Sequence, residues 1–185
     1  MTVFDAAYWA ICLVLVTSGA MKVSGPEVFA AFIKPVVGAK SAPLLARMVG
    51  VVELALGFVG LAFGGRVNAA LVAVAYLAFS FVVFVALRRS LPTCGCFGSA
   101  SAAPSGAHAA VNLISTGVAV VALIRSTPGM ADGLSGLGWW TAPTVAAVLL
   151  VTILVVVVDT KPTGATFAQR NTPGGNDERT TQRRV

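Results

Sequence analysis

The stretch VNAALVAVAYLAFSFVVFVAL, residues 67–87, runs for 21 positions without a charged side chain. A helix rises 1.5 Å per residue, and crossing the hydrocarbon core of a bilayer takes about 20 apolar residues. This run is therefore read as a membrane span. Four further runs of comparable character, 6–23, 44–63, 107–124 and 142–158, are read the same way. The expected fold is all-α, a polytopic transmembrane helix bundle over 5–158, followed by a basic tail over 159–185. That tail is rich in Thr, Gly, Gln and Arg and lacks apolar periodicity, which predicts disorder.

Composition agrees with this reading. Of the 185 residues, 57% are hydrophobic and 11% charged, with a mean hydropathy of +0.87. A soluble domain carries roughly 25% charged residues, so a water-soluble monomer is excluded. The formal charge of +6 does not indicate a nucleic-acid partner, because five of the thirteen Lys and Arg lie in the tail and the others border apolar runs. The expected partner is the lipid bilayer. The first run has no Lys or Arg ahead of it and no clear small-residue cleavage site after it, so it is read as a retained helix and not a signal peptide.

With five spans, Lys22, Lys34, Lys40, Arg47, Arg88, Arg89 and the five tail cations share one side, against Arg66 and Arg125 on the other. Eleven against two places the basic side and the C-terminal tail in the cytoplasm, in a plasma (inner) membrane, by the positive-inside rule. Tyr8, Trp9, Trp139 and Trp140 fall at the opposite span ends, where an interfacial aromatic belt is expected. Between the first two spans Pro26, Pro35 and Pro43 break any long helix, and the apolar residues 28–33 are expected at the interface.

Glu53 is the residue least suited to lipid. It falls three positions after Gly50 and four before Gly57, in a series that continues to Gly64, and so belongs on a face of small residues that marks helix–helix contact. A carboxylate buried there needs a cation, and Lys22 and Arg47 are the two within reach.

Cys94 and Cys96 lie between the third and fourth spans in Leu91-Pro92-Thr93-Cys94-Gly95-Cys96-Phe97-Gly98. Gly95 supplies the backbone freedom that a bridge between them would need, and so tight a bridge is strained and easily reduced. Pairs of that kind serve thiol–disulfide exchange, whereas a loop of one residue constrains the unfolded chain too little to act as a staple. Arg88, Arg89 and His108 lie near enough in sequence to favour a thiolate. A rival reading takes Cys94 and Cys96 with His108 as ligands of Cu(I) or Zn(II), although no four-ligand pattern completes the set. A third makes the chain an accessory subunit with no chemistry of its own. The remaining thiol, Cys12, is read as a packing residue.

Five spans bring Lys22, Arg47, Cys94, Cys96, His108 and Asn112 to one end of the bundle, with Glu53 beneath. Such an arrangement suits a quinone head group or a partner protein's cysteine, and the sequence leaves both open.

At these positions the chain resembles the MauE-type methylamine utilisation proteins, relatives of the larger DoxX-like four-helix membrane family. The resemblance runs from Thr17 to Ile124 and rests on Gly19 and Lys22 with Pro26 beyond, on Glu53 with Gly57, and above all on Cys94-Gly95-Cys96-Phe97-Gly98. It implies a four-helix core, here followed by a fifth span, and a role in methylamine metabolism. It further implies forming or delivering disulfides during maturation of methylamine dehydrogenase, with a thioredoxin-like or exported cysteine-containing protein as partner. Delivery to an exported enzyme would put Cys94 and Cys96 outside, opposite to the side that the charges indicate. Where the family commonly has an Arg-Asn pair in the fourth span, this chain has Val111 before Asn112.

Overall fold

The structure, a computed structural model, describes residues 2–89, 104–135 and 141–160. The described chain forms seven helices in the order α1 (Val3–Ser24), α2 (Glu27–Val37), α3 (Ala42–Ala62), α4 (Arg66–Arg88), α5 (Gly106–Arg125), α6 (Met130–Ser135) and α7 (Thr141–Thr160). Four of them, α1, α3, α4 and α5, are long and apolar enough to cross a membrane. The chain is a multi-pass helical membrane protein. Helix α7 covers the region of the expected fifth span, and the helices that qualify as spans among the described residues are the other four. Helix α7 continues two residues into the expected tail, and 161–185 lie outside the described residues.

Helix ends follow local chemistry. The Asp5 carboxylate accepts hydrogen bonds from the Thr2 backbone N–H at 2.6 Å and the Thr2 hydroxyl at 3.0 Å, closing the first turn of α1. Pro26 stands at the N-cap of α2 and Pro43 in the first turn of α3, where a missing N–H costs nothing. Pro26 and Pro43 thus mark helix starts instead of clearing the segment of helix, and Pro35, expected as a breaker, lies within the last turn of α2. Residues 28–33 lie in α2, and its Phe29 and Ala30 pack on Ala42 and Ala46 of α3.

Helix α1 is the inner helix. Of the four spans it has the largest buried share, and it packs most closely on α3. Glycine makes that contact possible. A Cβ placed on Gly19 would lie 2.5 Å from the Gly50 carbonyl oxygen, and one on Gly57 would lie 2.6 Å from that of Cys12. The glycine series deviates from expectation at its end. Helix α3 stops at Ala62, so Gly64 leaves the helix face and enters a turn with φ of 61°. There it bridges Pro128, and the last close approach to α1 is made by Gly60.

The outer faces are apolar, with Leu44, Val52, Phe58, Val67, Phe81 and Ile114 all exposed, as lipid contact requires. Tyr8 and Trp9 correct the expected belt. Both are 0% exposed. Trp9 Nε1 donates to the Pro128 carbonyl at 3.1 Å and its ring lies against Gly133 of α6, while Tyr8 takes a hydrogen bond from Asn68 Nδ2 at 2.9 Å. They close the non-basic end from within. Trp139 and Trp140 lie outside the described residues.

Candidate functional site

The polar centre forms where α1 meets α3. Ser18 and Lys22 are four residues apart and therefore share one face of α1. Gly50 lets that face approach α3 so closely that a Cβ there would lie 2.9 Å from both the Gly19 carbonyl oxygen and Lys22 Cβ. Glu53, one turn further along α3, then meets the lysine. Lys22 Nζ lies 2.8 Å from Glu53 Oε2, Ser18 Oγ donates to the same oxygen at 2.8 Å, and Nζ lies 2.6 Å from Ser18 Oγ.

Lys22 is 0% exposed and Glu53 is 2% exposed. A buried pair persists only when its geometry repays desolvation, and three hydrogen bonds within 2.8 Å meet that condition. Two aromatic faces add to it, with Nζ 5.6 Å from the centroid of Phe29 on α2 and 5.4 Å from that of Phe79 on α4. Ring faces attract cations at this range. Lys22 is thus gripped by four helices and does not reach the surface. Arg47, the other expected cation, is exposed.

Glu53 is used on one side only. Oε2 takes the contacts from Lys22 and Ser18, whereas Oε1 is buried without a hydrogen-bond partner among the described residues. Asn112 on α5 is in the same state, 6% exposed with Nδ2 buried and unpartnered. His108 is 3% exposed in the first turn of α5, whose N-cap Ser105 accepts from the His108 backbone N–H at 3.2 Å. The neighbouring Ala109 packs against the cluster of Val14, Val83 and Ala86, on which Met21 and Phe32 also pack, so the start of α5 shares an apolar cluster with α1, α2 and α4.

Of the sequence-predicted site residues, Lys22 and Glu53 are in contact, and His108 and Asn112 are buried at the adjoining end of α5. Cys94 and Cys96 lie outside the described residues. Ser18, Phe29 and Phe79 escaped the sequence reading. The spacing of Ser18 four residues before Lys22 was available as a signal, but the two rings come from distant helices and leave none.

Cys12 is buried against the Gly60 face, where a Cβ would lie 2.5 Å from its sulfur. It packs as a small apolar group. A soluble maleimide is expected to leave Cys12 unmodified in the folded protein and to label it after denaturation, as mass spectrometry would show. Among the described residues no three His, Cys, Asp or Glu cluster as a metal site.

The protein family described as methylamine utilisation protein MauE matches residues 1–125. No curated protein and no solved structure matches the chain.

Proposed function

Since the chain belongs to the MauE family of methylamine utilisation proteins, we propose that it acts in methylamine metabolism as a thiol–disulfide exchange protein of the plasma membrane. The observation that carries this reading is the extent of the family match, which takes in the Cys94-Gly95-Cys96 segment together with the buried Lys22–Glu53 centre. One thiolate of Cys94 and Cys96 attacks a partner disulfide, and the other resolves the mixed disulfide and releases the partner as a dithiol. The sulfur chemistry then balances, with one S–S bond broken, one formed, and two electrons passed to the partner.

Charge supports a cytoplasmic position for the end from which α4 leaves and α5 begins. Lys34, Lys40, Arg47, Arg88 and Arg89 are exposed around it, against Arg66 and Arg125 at the far end. A thioredoxin-like protein is the partner that fits this side.

The test uses a Cys12→Ser background and a membrane-impermeant maleimide in intact cells. Cys94 and Cys96 are expected to label only after the membrane is opened and the thiols are reduced, and a Cys96→Ser variant should trap a mixed disulfide through Cys94, or the reverse pair through Cys96. Labelling in unbroken cells would overturn the cytoplasmic placement. If neither single variant traps a partner and the two cysteines never bridge, thiol exchange is overturned. Copper or zinc that co-purifies only when both thiols are present would point instead to a metal carrier.

A further inference from the structure

Of the three buried side-chain atoms that lack a hydrogen-bond partner among the described residues, Thr127 Oγ1 lies in the turn before α6, and two lie within the spans, Glu53 Oε1 as an acceptor and Asn112 Nδ2 as a donor. Leaving such a group unpaired costs about 1–3 kcal/mol, and native structures rarely do so without a reason. The register of α4 and α5 relates the two. Ala109 shares an apolar cluster with Val83 and Ala86, while Ala119 and Ala122 share another with Ala69 and Val72. The helices therefore run antiparallel, and interpolation between the clusters puts Asn112 level with Phe79. Since Phe79 is one of the rings beside Lys22 Nζ, Asn112 and the Lys22–Glu53 pair occupy one layer of the bundle.

That layer lies within the apolar thickness. Val51 and Val52, next to Glu53 on α3, are 55% and 56% exposed on the outer face. A ligand reaching the layer from this side comes through lipid. It must be largely apolar, carry oxygen that accepts from an amide, and in one of its states carry a hydroxyl that donates to a carboxylate.

We propose that Glu53 and Asn112 form the head-group site of a lipid-soluble quinone, with a carbonyl oxygen accepting from Asn112 Nδ2 and, after reduction, a hydroxyl donating to Glu53 Oε1. The redox step rests on the thiol reading above. A dithiol and a quinone give a disulfide and a quinol, so that two S–H bonds break, one S–S and two O–H bonds form, and the quinone gains two electrons and two protons; the exchange above then runs in its reverse direction, the disulfide returning to the dithiol as it takes two electrons from a partner dithiol, which becomes a disulfide. Binding itself does not require the cysteines.

The experiment therefore separates binding from reduction. The full chain, in quinone-free nanodiscs, is titrated calorimetrically with decylubiquinone and with decylubiquinol, both as it stands and with Cys94→Ser and Cys96→Ser together. Saturable binding at one per chain, equal in both proteins, is expected. Asn112→Leu should weaken the quinone at least tenfold, and Glu53→Gln should weaken the quinol more than the quinone. Partitioning no greater than into empty nanodiscs, or affinities unchanged in Asn112→Leu, overturns the site, and the Asn112 result stands even if the Glu53 variant does not fold. Saturable binding with no reduction of the quinone by the wild-type dithiol, under conditions where a partner disulfide is still exchanged, overturns the redox step and leaves the thiol reading intact. Failure of exchange with binding retained does the reverse.

Discussion

Replacing Lys22 with Met is expected to destabilise the bundle by about 3–5 kcal/mol, and replacing Glu53 with Met in the same chain is expected to restore most of that loss. Removing one partner of a buried ion pair leaves the other charge uncompensated, whereas removing both exchanges the pair for apolar packing, which is often neutral. Lys22 and Glu53 are 0% and 2% exposed, so water cannot solvate the remaining charge without opening the α1–α3 contact. The size of the effect separates this cause from a lesser one. An ordinary interhelical hydrogen bond in a membrane protein averages about 0.6 kcal/mol, several-fold less than the expected loss. A double-mutant cycle on unfolding in mixed detergent micelles checks it. A single-variant loss below 1 kcal/mol, or a double variant no more stable than Lys22→Met, would show that the pair does not hold α1 to α3.

That pair also marks how far a sequence can be read. The position of Glu53 on the small-residue face was legible, because spacings of three and four residues define a helix face whatever surrounds it. The spans were legible for a similar reason, since lipid imposes its requirement on length and composition directly. The choice between Lys22 and Arg47 was not. Both are long cations near span ends, and the choice depends on the rotation of α1 and on the rings of Phe29 and Phe79, which belong to other helices.

Tyr8 and Trp9 illustrate the same boundary from the opposite side. Amphipathic rings at a span end ordinarily lie among lipid head groups. Here α6 and the turn at Pro128 cover Trp9, and Asn68 of α4 reaches the Tyr8 hydroxyl, so these polar atoms find protein partners. Nothing in the local pattern around residues 8 and 9 encodes that cover. Gly64 misled for a local reason, since a period of seven continued past the point where α3 ends and the chain needs a positive φ. The cysteine segment, the most telling part of the sequence, lies outside the described residues. Its chemistry is read from the residues and from family membership.

Gly19→Val should cost about 3 kcal/mol, the upper end of what overpacking costs, and should lower the stability of the Lys22→Met variant by less than that amount. The Gly19 Cβ would lie 2.5 Å from the Gly50 carbonyl oxygen and 2.8 Å from the Leu54 backbone nitrogen. Both are backbone atoms, so no rotamer change relieves the clash and α1 must move off α3. Ser18 and Lys22 move with it, and contacts of 2.8 Å to Glu53 Oε2 do not survive such a displacement. The substitution thus removes the packing and the ion pair together, which is why its effect overlaps with that of Lys22→Met. Gly117→Ala is the control, because nothing lies within 4 Å of its Cβ and it is exposed on the outer face of α5. Replacing a helical glycine by alanine favours the helix by up to about 1 kcal/mol, so this variant should be neutral or more stable. Thermal unfolding of the variants in one detergent supplies the comparison. Full additivity of Gly19→Val with Lys22→Met would mean that glycine packing and the ion pair stabilise the bundle separately, and the close approach of α1 to α3 would then not be what brings Lys22 to Glu53.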